Sequence, residues 1–248
     1  MKKIYIDPGH GGDSIGASYM GRKEQDDCLR LALAVKNILL TQKGVAVMLS
    51  REEDINPDIM DRAKEANEWG ADYFLSIHRN AFLPERACGA EVWCYSKCAV
   101  GGATYNKAER ILIALCAVTG FVNRGTKLGA PKYADYAVNR YTEMSSCLLE
   151  VGFIDNSADN AIFDAFFANM ALSIAKSLLE NVGLEYKAPI IKGDADGDGR
   201  ITAADARLIL RAAVGLEEVS LERGDMDGDG KITAADAREV LRDSVGLE

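Results

Sequence analysis

The last quarter of the chain is an internal repeat. Residues 193–217 and 224–248 align without gaps at a period of 31, and 19 of their 25 positions are identical. Near-identity at a fixed period means that one structural unit is used twice, which removes most alternative folds for this region. Each copy contains a 12-residue stretch of the form Asp-x-Asp-x-Asp-Gly-x-Ile-Thr-x-x-Asp. The first is built on Asp194, Asp196, Asp198, Gly199, Thr202 and Asp205, the second on Asp225, Asp227, Asp229, Gly230, Thr233 and Asp236. Carboxylates at loop positions 1, 3, 5 and 12 converge on one hard cation, Gly at position 6 permits a sharp turn, and position 7 (Arg200, Lys231) offers its backbone carbonyl. Four carboxylates in one short loop repel one another without a cation, so one calcium ion per loop is expected. Asp rather than Glu stands at position 12, and no helix is expected before either loop. Apolar positions Ala206, Leu208, Ile209, Leu210 and Val214, then Ala237, Val240, Leu241 and Val245, predict a single helix after each loop, ending at Gly215 or Gly246.

The repeat also carries most of the charge. The chain has a formal charge of -9; the residues after Lys187 hold 8 basic and 14 acidic side chains, against 21 and 24 up to that point. This balance excludes a nucleic-acid backbone as partner, because such binding needs clustered Lys and Arg. Residues 186–192, with Pro189 among them, read as a linker between regions of different composition. The expected division is therefore a domain over 1–185, a linker over 186–192 and the doubled unit over 193–248. No apolar run reaches the roughly 18 to 20 residues of a membrane span, and the Met1-Lys2-Lys3 start leads into a strand-like segment, so no export signal is read there.

In the N-terminal domain, strand-like and helix-like segments alternate. Lys2–Ile6, Val45–Leu49, Tyr73–Ile77, Glu91–Tyr95 and Ser146–Leu149 are predicted strands. Residues 24–43, 58–69, 106–118 and 161–182 are predicted helices. The expected fold class is α/β, a mostly parallel or mixed sheet flanked by helices, followed by a small all-α calcium-binding module. In such sheets ligands bind beyond the carboxyl ends of the strands. The protein has only two histidines, and both fall there: His10 in the turn Asp7-Pro-Gly-His-Gly-Gly12 and His78 directly after Ile77. Glu150 follows Leu149 in the same way. Two imidazoles and a carboxylate on one rim suit a catalytic zinc with an open water position. By spacing alone Glu24 and Glu150 are both candidates for the carboxylate. Glu24 could instead serve the dipole of the helix it opens, and each His could be a hydrogen-bonded structural residue.

The motifs narrow this choice. Ile4-Tyr-Ile-Asp-Pro-Gly-His-Gly-Gly12, Glu24, Arg62-Ala-Lys-Glu-Ala-Asn67, Ser76-Ile-His-Arg-Asn-Ala81 and Leu149-Glu-Val-Gly-Phe-Ile-Asp-Asn156 together resemble the zinc-dependent N-acetylmuramoyl-L-alanine amidases of the amidase 3 type. The resemblance covers residues 2–185. It implies His10, Glu24 and His78 as zinc ligands, Glu150 as catalytic acid/base, and peptidoglycan as substrate, cut between N-acetylmuramic acid and L-alanine. Arg79 replaces the small residue often found after the second histidine, and is expected beside the metal as a contact for a substrate carboxylate. The 71 residues between His78 and Glu150 leave little room for an occluding helix, so an open cleft is expected.

Residues 193–248 resemble the type I dockerin module. That resemblance implies a cohesin module on a scaffold protein as partner, and hence a secreted, cellulosome-like setting. It maps the cohesin contacts onto Ala203, Ala204, Arg207 and Arg211 and, in the second copy, onto Ala234, Ala235, Arg238 and Arg242, so that either half could dock. Two other functions fit the same residues: a non-catalytic wall-binding module displayed by the dockerin, and another zinc peptidase acting on wall peptides. The chain is expected to be a monomer. Of its six cysteines, Cys88, Cys94 and Cys98 are close enough in sequence to pair or bind a metal, while most of the six sit in apolar segments and read as buried thiols.

Overall fold

The computed structural model describes residues 1–130 and 136–246. It divides into two compact units, Met1–Tyr186 and Lys187–Glu248. In chain order the first unit contains β1 (Lys2–Pro8), β2 (Ser18–Tyr19), β3 (Arg22–Lys23), α1 (Glu24–Leu40), β4 (Val45–Leu49), α2 (Ile59–Trp69), β5 (Tyr73–Asn80) and β6 (Ala90–Cys94). There follow α3 (Ala103–Thr119), β7 (Asn123–Leu128), α4 (Ala137–Tyr141), β8 (Ser145–Phe153), α5 (Ser157–Ala165) and α6 (Phe167–Asn181). The second unit contains α7 (Ala203–Ala213), α8 (Leu221–Gly224) and α9 (Ala234–Ser244).

Six strands form one sheet in the order β4-β1-β5-β8-β6-β7. The first four run parallel, and β6 and β7 run parallel to each other but opposite to β8. The α/β reading of the sequence holds. Because of the reversal, the starts of β6 and β7 share a sheet edge with the ends of β1, β5 and β8. Strand alternation then sorts the side chains. Ile4, Ile6, Leu75, Ile77, Leu149 and Val151 are buried in the main core together with α1, α3 and α6 residues. Tyr5, Phe74 and Leu148 belong to a much smaller apolar cluster with Ala66 of α2 and Val138 of α4.

Three sequence expectations are corrected. His78 and Glu150 lie inside β5 and β8 rather than after them, and they are register partners; the ladder continues through polar residues because their side chains face a cleft. The predicted closing helix is broken at Phe166 into α5 and α6, bent by 75°, which lets Phe163 stack beneath Arg79 and Phe167 beneath Arg30. A short helix, α8, does precede the second acidic loop. No single helix among the described residues is long and apolar enough to cross a membrane. All six cysteines are free thiols, and Cys88, Cys94 and Cys98 form no metal-ligand cluster among the described residues.

One buried ion pair ties β1 to α2. Asp7 is 1% and Arg62 4% exposed, with Arg62 Nη1 donating to Asp7 Oδ1 at 2.8 Å. Burial alone would raise the Asp7 carboxyl, but the Arg62 guanidinium and the Ser50 and Ser76 hydroxyls hold it below its ordinary range. The pair therefore contributes stability above the unfolded carboxylate range of about 4 and loses it as the pH falls further. Arg62→Met should leave Asp7 charged, buried and unpaired, and cost about 3–5 kcal/mol in urea unfolding at pH 7. The deficit should narrow as the pH falls, beginning above about pH 4 because the unpaired buried carboxyl takes up a proton early, and Asp7→Asn in the same chain should recover part of it.

Candidate metal and catalytic centre

His10 reaches the site from a strained turn. It has φ 59°, in the left-handed region, and is held there by the loop around it. Arg62 Nη2 donates to the His10 carbonyl at 3.1 Å, and Arg51 Nη2 to the Gly9 and Gln25 carbonyls at 2.8 Å each. Two glycines make the approach possible. A Cβ on Gly9 would lie 2.4 Å from the His78 ring, and one on Gly16 (φ +68°) would lie 2.5 Å from Glu24 Oε2.

Glu24, the first residue of α1, stands between the two imidazoles. Its Oε2 is 3.2 Å from His10 Nε2 and its Oε1 2.9 Å from His78 Nδ1. The same carboxylate accepts backbone N–H groups of Ala17 at 2.8 Å and Arg79 at 3.1 Å. Burial would raise its pKa, and the hydrogen bonds from His10 and His78 outweigh burial and lower it. His10 Nδ1 lies 3.1 Å from Ser14 Oγ, which directs Nε2 to the cluster. One ligand atom from each of His10, Glu24 and His78 lies within 4.8 Å of the others. Two imidazole nitrogens and one carboxylate oxygen, oriented by further hydrogen bonds, fit a four-coordinate divalent metal with one open position. The His10 and His78 side chains are 28% and 19% exposed, so the cluster is reachable from solvent. Part of the segment expected to leave this cleft open, residues 131–135, lies outside the described residues.

Glu150 is the register partner of His78. It is buried, its Oε2 has no hydrogen-bond partner among the described residues, and burial pushes its pKa up to about 7. A carboxyl in that range can both take and return a proton near neutral pH. Beside the two histidines is a cavity of about 350 Å³, lined among others by Ser14, Asn56, Asp58, Tyr136 and Val138.

Arg79 does not face this site. Alternation along β5 sends its side chain to the opposite side of the sheet from His78, where it is 2% exposed. Its guanidinium pairs with Asp27, donates to Asn160 Oδ1 at 2.7 Å and stacks 4.3 Å over Phe163. The expected substrate contact is thus a structural tie between α1 and α5, placed wrongly because β5 was read as ending at Ile77. Residues missed from sequence are Gly16, Ser14 and Glu91, the register partner of Glu150 on β6. Only the glycine carried a signal, and it was one among 23.

In the second unit the acidic loops fold almost identically. Asp194 Oδ1 accepts from Gly197 and Asp198 N–H, and Asp225 Oδ1 from Gly228 and Asp229 N–H. Asp205 and Asp236 each complete a capping box with Thr202 and Thr233 at the start of α7 and α9. Asp194, Asp196 and Asp205 converge in one loop, and Asp225, Asp227 and Asp229 in the other; Asp198 and Asp236 stand outside those sets. Oxygen-only donors of this kind suit a hard cation. Ala206, Ile209, Ala237 and Val240 form the core between α7 and α9. Ala203, Ala204, Arg207 and Arg211 are exposed on one helix, and Ala234, Ala235, Arg238 and Arg242 on the other. One contact breaks the symmetry: Arg223 Nη1 donates to the Asp194 carbonyl at 2.7 Å and carboxylate at 3.0 Å.

Comparison with known proteins identifies the family of each unit. The family model described as N-acetylmuramoyl-L-alanine amidase (Amidase_3) matches residues 4–180, and the type I dockerin domain model matches residues 192–243. The chain is 37% identical to N-acetylmuramoyl-L-alanine amidase CwlM of Bacillus licheniformis over 218 residues, 84% of this chain and 82% of that protein. It is 34% identical to the sporulation-specific N-acetylmuramoyl-L-alanine amidase of Bacillus subtilis, over 84% of this chain and 82% of the relative. Among solved structures, the catalytic domain of the amidase CwlV from Bacillus (Paenibacillus) polymyxa var. colistinus superposes with a TM-score of 0.68 at 29% identity, covering 75% of this chain and 100% of that one. The chain belongs to the N-acetylmuramoyl-L-alanine amidase family of hydrolases and carries a C-terminal type I dockerin domain.

Proposed function

We propose that residues 1–185 hydrolyse the amide bond between the lactyl group of N-acetylmuramic acid and L-alanine of the stem peptide, with His10, Glu24 and His78 as zinc ligands and Glu150 as general acid/base. The observation that carries this reading is Glu150: a buried carboxylate whose Oε2 has no hydrogen-bond partner among the described residues, in register with His78 of a His–Glu–His cluster. Zinc held there supplies Lewis acidity, which polarises a carbonyl and acidifies water. Glu150 accepts the water proton and returns it to the departing amide nitrogen. Glu24, fixed by two backbone N–H groups, keeps both imidazoles aimed inward. A wall-binding module without catalysis gives no reason for a buried carboxylate oxygen left without a hydrogen-bond partner, among the described residues, beside the cluster.

Residues 193–248, joined through 186–192, serve in this reading as the attachment module. Each acidic loop holds one calcium ion: Asp194, Asp196, Asp198, Asp205 and the Arg200 carbonyl in the first, Asp225, Asp227, Asp229, Asp236 and the Lys231 carbonyl in the second. The exposed Ala-Ala pairs and Arg residues of α7 and α9 then meet a cohesin module, which places the enzyme in a secreted assembly acting on peptidoglycan.

Glu150→Gln should keep the zinc content of the wild type by metal analysis while lowering release of stem peptides from purified peptidoglycan about a thousand-fold. Products should carry a new N-terminal L-alanine; an internal peptide cut would indicate another peptidase. Chelating calcium should lower the calorimetric transition of the C-terminal unit by about 10 °C or more, and Asp194→Ala with Asp225→Ala should abolish that calcium dependence.

A further inference from the structure

On the far side of Glu150 from the histidines the sheet carries an unassigned cationic groove. His78, Glu150 and Glu91 form a row of register partners across β5, β8 and β6. Glu91 is 3% exposed. Its Oε1 accepts from Asn80 Nδ2 and Trp93 Nε1, both at 3.0 Å. Its Oε2 accepts from Arg124 Nε at 2.7 Å and Lys127 Nζ at 2.5 Å. One carboxylate thus anchors two cations, one more than its charge balances. Arg124 sits where the pairing of β6 with β7 shifts, between Ala90↔Asn123 and Val92↔Thr126, and such irregularities re-aim a side chain. Its guanidinium lies 4.8 Å over the Phe153 ring and its side chain is 34% exposed. Asn80, Glu91, Arg124 and Phe153, with the exposed Arg86, line a groove of about 530 Å³.

Resting on the amidase reading above, we infer that this groove binds a carboxylate of the stem peptide, with Arg124 and Arg86 as its specificity-determining residues. Proton return from Glu150 puts the departing nitrogen, and the peptide attached to it, beside Glu150. Neighbouring strands are about 4.8 Å apart, so the strand bearing Arg124 is roughly 10 Å from that of Glu150. Two extended residues span up to about 7 Å, and the arginine side chain closes the remainder. The residue after L-alanine in a stem peptide is acidic, its carboxylate either free or amidated, and it arrives at this distance. Arg124 has its Nε on Glu91 and its Nη1 on the Cys88 carbonyl at 3.3 Å, which leaves Nη2 for an incoming carboxylate, and the exposed Arg86 adds a planar, two-pronged guanidinium. The cavity on the histidine side offers the opposite chemistry: Asp58, Asn56, Ser14 and Tyr136, with Arg62 already committed to Asp7. That lining suits the hydroxyl groups of the sugar and disfavours a second carboxylate.

The test uses the full zinc-loaded chain and two substrates built on N-acetylmuramoyl-L-alanyl-D-glutamate with the γ-carboxyl capped as an amide, one with the α-carboxylate free and one with it amidated, with kcat and KM measured separately. The wild type should prefer the free acid by about tenfold in kcat/KM, carried by KM. Arg124→Gln leaves Lys127 on Glu91, and Arg86→Gln alters an exposed side chain. Each should move the preference toward parity through a rise in KM for the acid larger than that for the amide. If Arg124→Gln fails to fold, Arg86→Gln carries the comparison. Equal kcat/KM for the two substrates in the wild type, or a preference kept in the folded variants, would overturn the groove assignment. No turnover of either substrate by the wild type would overturn the amidase reading, and the groove with it.

Discussion

The Arg62 guanidinium, buried against Asp7, organises the site end of the sheet. From one position it neutralises the Asp7 carboxylate and donates to the Pro8 and His10 carbonyls. Arg51 works beside it, on Pro8, Gly9 and Gln25. Backbone carbonyls in a turn of this kind have no ladder to join, and an unmet buried carbonyl is costly. The two arginines meet that cost and so fix a turn in which His10 takes an unfavourable φ. Through Gln25, Arg51 also fixes the start of α1, and with it Glu24. His10 and Glu24, from separate parts of the chain, therefore depend on two guanidinium groups that bond backbone carbonyls around them.

The two faces of the sheet divide the remaining work. The face against α1, α3 and α6 buries most of the apolar surface. The opposite face has only the small cluster under α2 and α4, and beyond it stand Asp7, His78, Glu150 and Glu91. A carboxyl there is shielded from water yet not enclosed, which is how Glu150 reaches about 7 while Glu91, one strand away, is kept below its ordinary range: burial raises it, and Lys127 and Arg124 more than reverse that. Equal residue types in adjacent register acquire opposite protonation behaviour because burial dominates at one and paired cations dominate at the other.

How much of this was legible in the sequence depended on how local its cause was. The acidic loops were readable because ligand spacing, turn glycine and capping threonine all fall within 12 residues, twice over. His10, Glu24, His78 and Glu150 were found through motifs, and spacing alone had left Glu24 and Glu150 undecided. Arg79 was misplaced because a polar continuation of a strand looks like a loop. Glu91 and Arg124 gave no signal, since their juxtaposition follows from the reversed direction of β6 and β7. Asn123–Leu128, with the sequence Asn-Arg-Gly-Thr-Lys-Leu, has no apolar alternation, because it is a half-exposed edge strand paired on one side only.

The reversal of β6 and β7 has a consequence for how such a sheet can diversify. His10, Glu24, His78 and Glu150 all come from the parallel half and the helix attached to it. Glu91, Arg124 and Lys127 come from the reversed pair, which α3 connects on its own. In the reading proposed above, the reacting groups and the groove beside them thus come from separate stretches of chain that meet along the single β6–β8 seam. Substitutions between Arg86 and Leu128 can then retune what is accepted while the reacting groups stay in place.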